Sequence, residues 1–91
     1  MLDFYADWCV SCKEMEHFTF TDPAVMQKLQ TVTLVQADVT ANNADDKALL
    51  KRFDLFGPPG IIFFRGGKEV GRVVGFEDAK TFLASLQRAG V

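Results

Sequence analysis

A chain of 91 residues, 48% of them apolar, can build one hydrophobic core and is too short for two. Its net charge of −2 includes no long basic run, so electrostatic attraction to nucleic acid or anionic lipid has nothing to act on. The longest apolar run, Gly60 to Phe64, falls far short of the roughly 20 residues of a membrane-spanning helix, and these residues are expected to form a single soluble domain.

"MLDFY" reads as a short buried strand despite Asp3, and "ADWC" as a turn into a helix through "VSCKEMEHF". "TDPAVMQKLQ" carries a helix-start signal, Asp22 as N-cap and Pro23 in the first helical position, with Val25, Met26 and Leu29 on the expected buried face. "VTLVQADV" is rich in β-branched residues and predicts a strand. After it, "TANNADDKALLKRFDLFG" supplies a polar loop and a helix with Leu49, Leu50 and Phe53 inward. "GPPG" interrupts the chain; "IIFF", the turn "RGGK" and "EVGRVVG" then predict a β-hairpin. An amphipathic helix, "DAKTFLASLQRA", closes the chain with Phe82, Leu83 and Leu86 toward the sheet. The order βαβαββα implies an α/β fold, a small mixed sheet with helices on both faces.

Two cysteines stand three positions apart, Cys9 and Cys12. As a staple they are poorly placed, because so small a loop hardly restricts the unfolded chain. As half of a structural zinc site they lack partners: the only histidine is His17 and there is no second cysteine pair. As a redox pair they fit, since residues three apart on a helix are surface neighbours within disulfide reach. Cys9 would sit at the helix N-terminus, exposed, where free N–H groups favour thiolate, and Cys12 would be shielded a turn further in. Cys9 is then expected to attack and Cys12 to resolve.

With "DFYADWCVSCK" and, about fifty residues later, a proline ahead of an apolar strand, the chain resembles the thioredoxin superfamily. Within it the resemblance is closest to the C-terminal thioredoxin-like domains of the DsbD family of thiol:disulfide interchange proteins. It rests on "YADWCVSCKEME", "TFTDP" at Thr19 to Pro23 and "VTAN" at Val39 to Asn42, and covers essentially the whole chain. It implies a domain on the periplasmic side of a bacterial inner membrane that accepts electrons from a transmembrane part and passes them to an N-terminal periplasmic domain of the same parent protein. No cofactor or metal is expected beyond the Cys9–Cys12 disulfide, and the isolated domain is expected to be monomeric. Val10 and Ser11 replace the usual Gly-Pro between the cysteines. The strand and helix that precede "MLDFY" in relatives are missing, so residues 1–91 are expected to be a single domain cut from a larger membrane protein. A free-standing thioredoxin that reduces many proteins, or a binding module with incidental cysteines, are the alternatives.

The resemblance also assigns the neighbours of the pair. Asp3 matches the family's buried acid and could relay a proton to or from Cys12; Glu16 matches a second acid near the site. Two negative charges near a thiol oppose thiolate formation, which favours a reductant. Trp8 is expected to shield the disulfide and offer a contact surface, while Tyr5 could equally be a packed strand residue. Pro59 matches the cis-proline that faces the cysteines in the family. Pro58 stands where relatives bond a partner's backbone and has no N–H to donate. Gly60 stands where many relatives have threonine.

Overall fold

The computed structural model describes residues 1–90. The elements follow in the order β1 (Leu2–Tyr5), α1 (Val10–Glu14), a π-helical turn (Met15–Thr19), α2 (Pro23–Leu29), β2 (Val35–Asp38), α3 (Ala44–Arg52), β3 (Gly60–Arg65), β4 (Lys68–Val74) and α4 (Ala79–Arg88). The thioredoxin-like order expected from the sequence is present. The helix after the cysteines changes character at Met15, where Phe20 N–H reaches back five residues to the Met15 carbonyl at 2.8 Å, a local widening that the residue pattern does not announce.

Local chemistry explains most of the boundaries. Asp22 caps α2 by accepting the N–H groups of Ala24 and Val25, Asn43 caps α3 through the Asp46 N–H, and Asp78 caps α4 through the Thr81 N–H. Helix α3 stops where Asp54 turns left-handed (φ 58°). The Asp54 and Leu55 N–H groups then return to the carbonyls of Lys51 and Leu50, and the two leucines join the same buried cluster, as in a Schellman stop. The β3–β4 turn uses Gly66 and Gly67, both at positive φ, the backbone a two-residue hairpin requires.

The sheet order is β2-β1-β3-β4. β1 and β2 are parallel, with Leu2 beside Val35 and Tyr5 beside Asp38, whereas β3 runs antiparallel to β1, Phe4 lying beside Gly60. The period of two splits the residues between the faces. Ile61, Phe63 and Val73 pack with Met15, Val25, Phe82 and Leu86 under the π-helical turn, α2 and α4. Phe4 and Ile62 pack with Val39, Leu50, Leu55 and both cysteines on the side of α3.

Two expected core residues lie outside. Met26 is exposed, because α2 is seven residues long and its inward stripe runs through Val25 and Leu29, one turn apart. Leu49 is also exposed: Leu50 alone is buried within α3, and Phe53 follows the helix as its C-cap, half-buried against Phe4 with ring centroids 5.7 Å apart.

Candidate active site

Because β1 and β2 are parallel and β3 is antiparallel to β1, the ends of β1 and β2 and the start of β3 fall on one edge of the sheet. Three segments therefore converge there: Ala6 to Cys9, Asp38 to Thr40, and Pro58 to Gly60.

In the first segment Cys9 N–H donates to the Ala6 carbonyl at 3.1 Å, closing the turn that sets Cys9 at the start of α1. Cys9 is the N-cap, and its Sγ accepts the Cys12 N–H at 3.1 Å. An otherwise unpaired helix-start amide aimed at sulfur stabilises negative charge on it. Cys9 and Cys12 form a disulfide, their Cα atoms 5.2 Å apart, the ordinary spacing for such a bond.

The expectation of an exposed Cys9 is corrected: both cysteines are buried, each with 5% of its surface in contact with solvent. The sequence places Cys9 at the helix tip but does not show that Phe4, Ala6, Val39 and Leu55 gather with it in one cluster. The difference between the two sulfurs thus lies in hydrogen bonding and in position along the helix.

The second segment fastens the first. Asp7 N–H donates to Thr40 Oγ1 at 3.0 Å and Trp8 Nε1 to the Thr40 carbonyl at 2.9 Å. Thr40 itself donates its N–H (2.9 Å) and its hydroxyl to Asp38 Oδ1, which holds the Asp38 carboxyl below its usual range. Sequence reasoning missed Asp38 and Thr40 as site residues; the signal available was an Asp-x-Thr directly after a β-branched run, the spacing of an Asx turn. Trp8 is about half exposed (54%), so it lies on the surface beside the pair as a contact residue rather than in the core. Tyr5 is half-buried, and its hydroxyl titrates above its usual value, chiefly because of the Asp38 charge.

In the third segment the Pro58–Pro59 bond is cis, and the Pro59 carbonyl accepts the Gly75 N–H at 3.1 Å, tying the proline turn to the end of β4. A Cβ at Gly60 would lie 2.8 Å from Leu55 Cδ1. Glycine here lets β3 begin directly against a leucine that also packs with the cysteines.

The two acids separate. Asp3 is buried (8% exposed) on the sheet face it shares with Ile61, its neighbour on β3, and its pKa is pushed up to about 6, first by burial and second by the Glu16 charge. Glu16 is exposed on the π-helical turn. Its charge reaches Asp3, and from the surface that field is weakened by water. His17 is exposed beside Phe18. Among the described residues no group of three His, Cys, Asp or Glu side chains is placed to hold a metal ion, and no helix is long and apolar enough to cross a membrane.

Comparison with known proteins agrees with this arrangement. A family model described as a thioredoxin-like domain matches residues 1–90. The chain is 69% identical over 91 residues to the thiol:disulfide interchange protein DsbD of Ralstonia nicotianae, covering 98% of this chain and 15% of that protein. With DsbD of Escherichia coli K12 it shares 56% over 90 residues, covering 96% and 16%. It therefore spans about a sixth of the length of the curated relatives it matches. The crystal structure of the oxidised DsbD C-terminal domain from Neisseria meningitidis superposes with a TM-score of 0.85 at 44% identity, covering 97% of this chain and 77% of that one. Fold, relatives and the Cys9–Cys12 disulfide together support a role in thiol–disulfide exchange. By its family match and its coverage of that solved domain, the chain belongs to the thioredoxin-like domains and, among them, to the DsbD C-terminal domains.

Proposed function

We propose that this domain is a dithiol:disulfide oxidoreductase that takes electrons from a transmembrane part of a larger parent protein and delivers them to a disulfide in that protein's N-terminal domain, on the periplasmic side of a bacterial inner membrane. One observation carries the direction of attack: the Cys12 N–H points at Cys9 Sγ. In the reduced domain the same amide would stabilise a Cys9 thiolate while Cys12 keeps its proton.

In the delivering half-cycle the Cys9 thiolate attacks one sulfur of the partner disulfide, forming a Cys9–partner bond and releasing the other partner sulfur as a thiolate. Cys12 then loses its proton and attacks Cys9 Sγ, closing the Cys9–Cys12 disulfide and expelling the second partner thiolate. Two electrons have moved to the partner, carried by the sulfurs with no further cofactor. Asp3, which the resemblance matches to the family's buried acid, would exchange the Cys12 proton, and a buried carboxyl with a pKa of about 6 is able to do so near neutral pH. Glu16, at the surface, would act on the site only through its charge. Trp8, Pro58 and Pro59 border the pair and would meet the partner, with Pro58 offering a carbonyl and no N–H. Recharging runs the exchange in reverse, a donor thiolate opening the Cys9–Cys12 bond.

The test is to mix the reduced domain with glutathione disulfide and follow products by mass. The Cys12→Ser variant should accumulate one glutathione adduct on Cys9, whereas the wild type should return to its internal disulfide. An adduct on Cys12 in a Cys9→Ser variant at the same rate would remove the assigned roles, and no reaction in the wild type would remove the exchange reading itself.

A further inference from the structure

Next to the proline turn, the last turns of α3 and the loop that follows it enclose a cleft of roughly 720 Å³ that the exchange chemistry does not use. Its floor includes Leu50 and Leu55, which belong to the same buried cluster as Cys9 and Cys12, so the cleft and the disulfide rest on one core. Its rim carries Lys47, Lys51, Asp54 and Phe56.

Phe56 is the most exposed large apolar side chain described, with its whole ring in solvent. The helix stop accounts for its direction but not for its identity. Leu55 is held inward beside Leu50 by its N–H bond to the Leu50 carbonyl at 2.9 Å, so the next residue turns outward, and any polar residue would serve there. A phenyl ring two positions before the proline turn gains by being covered.

The rim is also charged. Lys47 and Lys51 stand one helical turn apart and therefore on one side of α3. Asp54 is the one acid on the rim, and its charge acts on Arg72, whose Nη1 donates to the adjacent Phe53 carbonyl at 2.8 Å. Arg72 is itself paired with Glu69, so the rim sets two lysines against one carboxylate on a domain whose net charge is −2.

We propose that this cleft docks the partner protein through a segment flanking its reactive cysteine, with an apolar side chain laid against Phe56 over Leu50 and Leu55 and a carboxylate set between Lys47 and Lys51. The inference rests on the exchange reading and adds to it a selectivity element outside the cysteine and proline segments. An apolar anchor with a charged rim matches the usual anatomy of a protein-recognition patch.

The probes are short synthetic peptides, each joined to glutathione through one cysteine. A leucine–glutamate pair is stepped from two to six residues away on either side, with leucine–lysine and serine–glutamate versions as controls. Reaction with the reduced domain is followed by the fluorescence of Trp8, the single tryptophan. At the best spacing the leucine–glutamate peptide should react about tenfold faster than either control. Phe56→Ser should erase the advantage over the serine version, and Lys47→Ser with Lys51→Ser should erase the advantage over the lysine version. Glutathione disulfide itself should react within about twofold of wild type in every variant. Equal rates for all peptides with the wild type, or a preference that survives these substitutions, would overturn the docking proposal; so would variants that slow glutathione disulfide as much as the peptides. A wild type inert even to glutathione disulfide would instead mark failure of the exchange reading.

Discussion

The two faces of the sheet are built to different standards. Under the π-helical turn, α2 and α4, the side chains of Met15, Val25, Ile61, Phe63, Phe82 and Leu86 are at most 1% exposed, and Phe82 meets both Phe20 and Phe63 ring to ring, with centroids 5.5 and 6.0 Å apart. On the other face α3 buries only Leu50 from within its own span, while Val35, Leu49 and Phe64 stay exposed and a shallow apolar groove opens along Leu2, Val35, Phe53 and Phe64. The cysteines pack with the more open side. The closed face forms the tighter frame, and the side that packs with the disulfide leaves apolar surface uncovered.

Four substitutions probe this contrast. The largest effect is expected for Phe82→Ala, which should lower unfolding free energy by about 3–5 kcal/mol in urea titrations, the usual cost of a cavity at a fully packed aromatic. A loss below about 1 kcal/mol would show that the closed face is not the frame.

Asp3 lies on that same dry face, which gives it a pH signature. Its folded pKa of about 6 exceeds its ordinary 3.8, so folding favours the protonated form. The stability this group contributes is fully present below about pH 4 and is lost as pH rises through 6. A shift near two units corresponds to at most about 3 kcal/mol. Asp3→Asn should therefore stabilise the domain by about 2 kcal/mol at pH 8 relative to its effect at pH 3.5, and a gain independent of pH would contradict the assigned cause.

Thr40→Val tests the edge where the two faces meet. It removes the Thr40 hydroxyl, which accepts the Asp7 backbone N–H and donates to the Asp38 carboxylate, while leaving the Thr40 carbonyl for Trp8. A loss of about 1–2 kcal/mol, with a shift in Trp8 emission, is expected; an unchanged spectrum would show that the Trp8 loop holds itself. The smallest effect belongs to the open face, where Leu49→Ala should stay within about 0.5 kcal/mol, and a cost comparable to that of Phe82→Ala would erase the distinction between the faces.

Much of the architecture was legible because it depends on neighbours along the chain. Asp22 with Pro23 marks the start of α2, paired glycines mark the hairpin, and the spacing of Phe82, Leu83 and Leu86 marks the inward side of α4. Met26 and Leu49 were misplaced for one reason: a helix of seven or nine residues has room for a narrow buried stripe, and the pattern does not say where that stripe ends.

The site divides in the same way. The sequence by itself determined the cysteine pair and its position at a strand-to-helix junction, since these follow from residue type and spacing, while the proline turn and the two acids were assigned by resemblance. Only the tertiary structure decided that Cys9 is as buried as Cys12, that Glu16 faces water, that Thr40 fastens the Trp8 loop, and that Phe56 stands beside two lysines over Leu50 and Leu55. Each of those depends on which segments the sheet brings to one edge, and burial, hydrogen bonding and field at a residue are set by groups far from it in the chain.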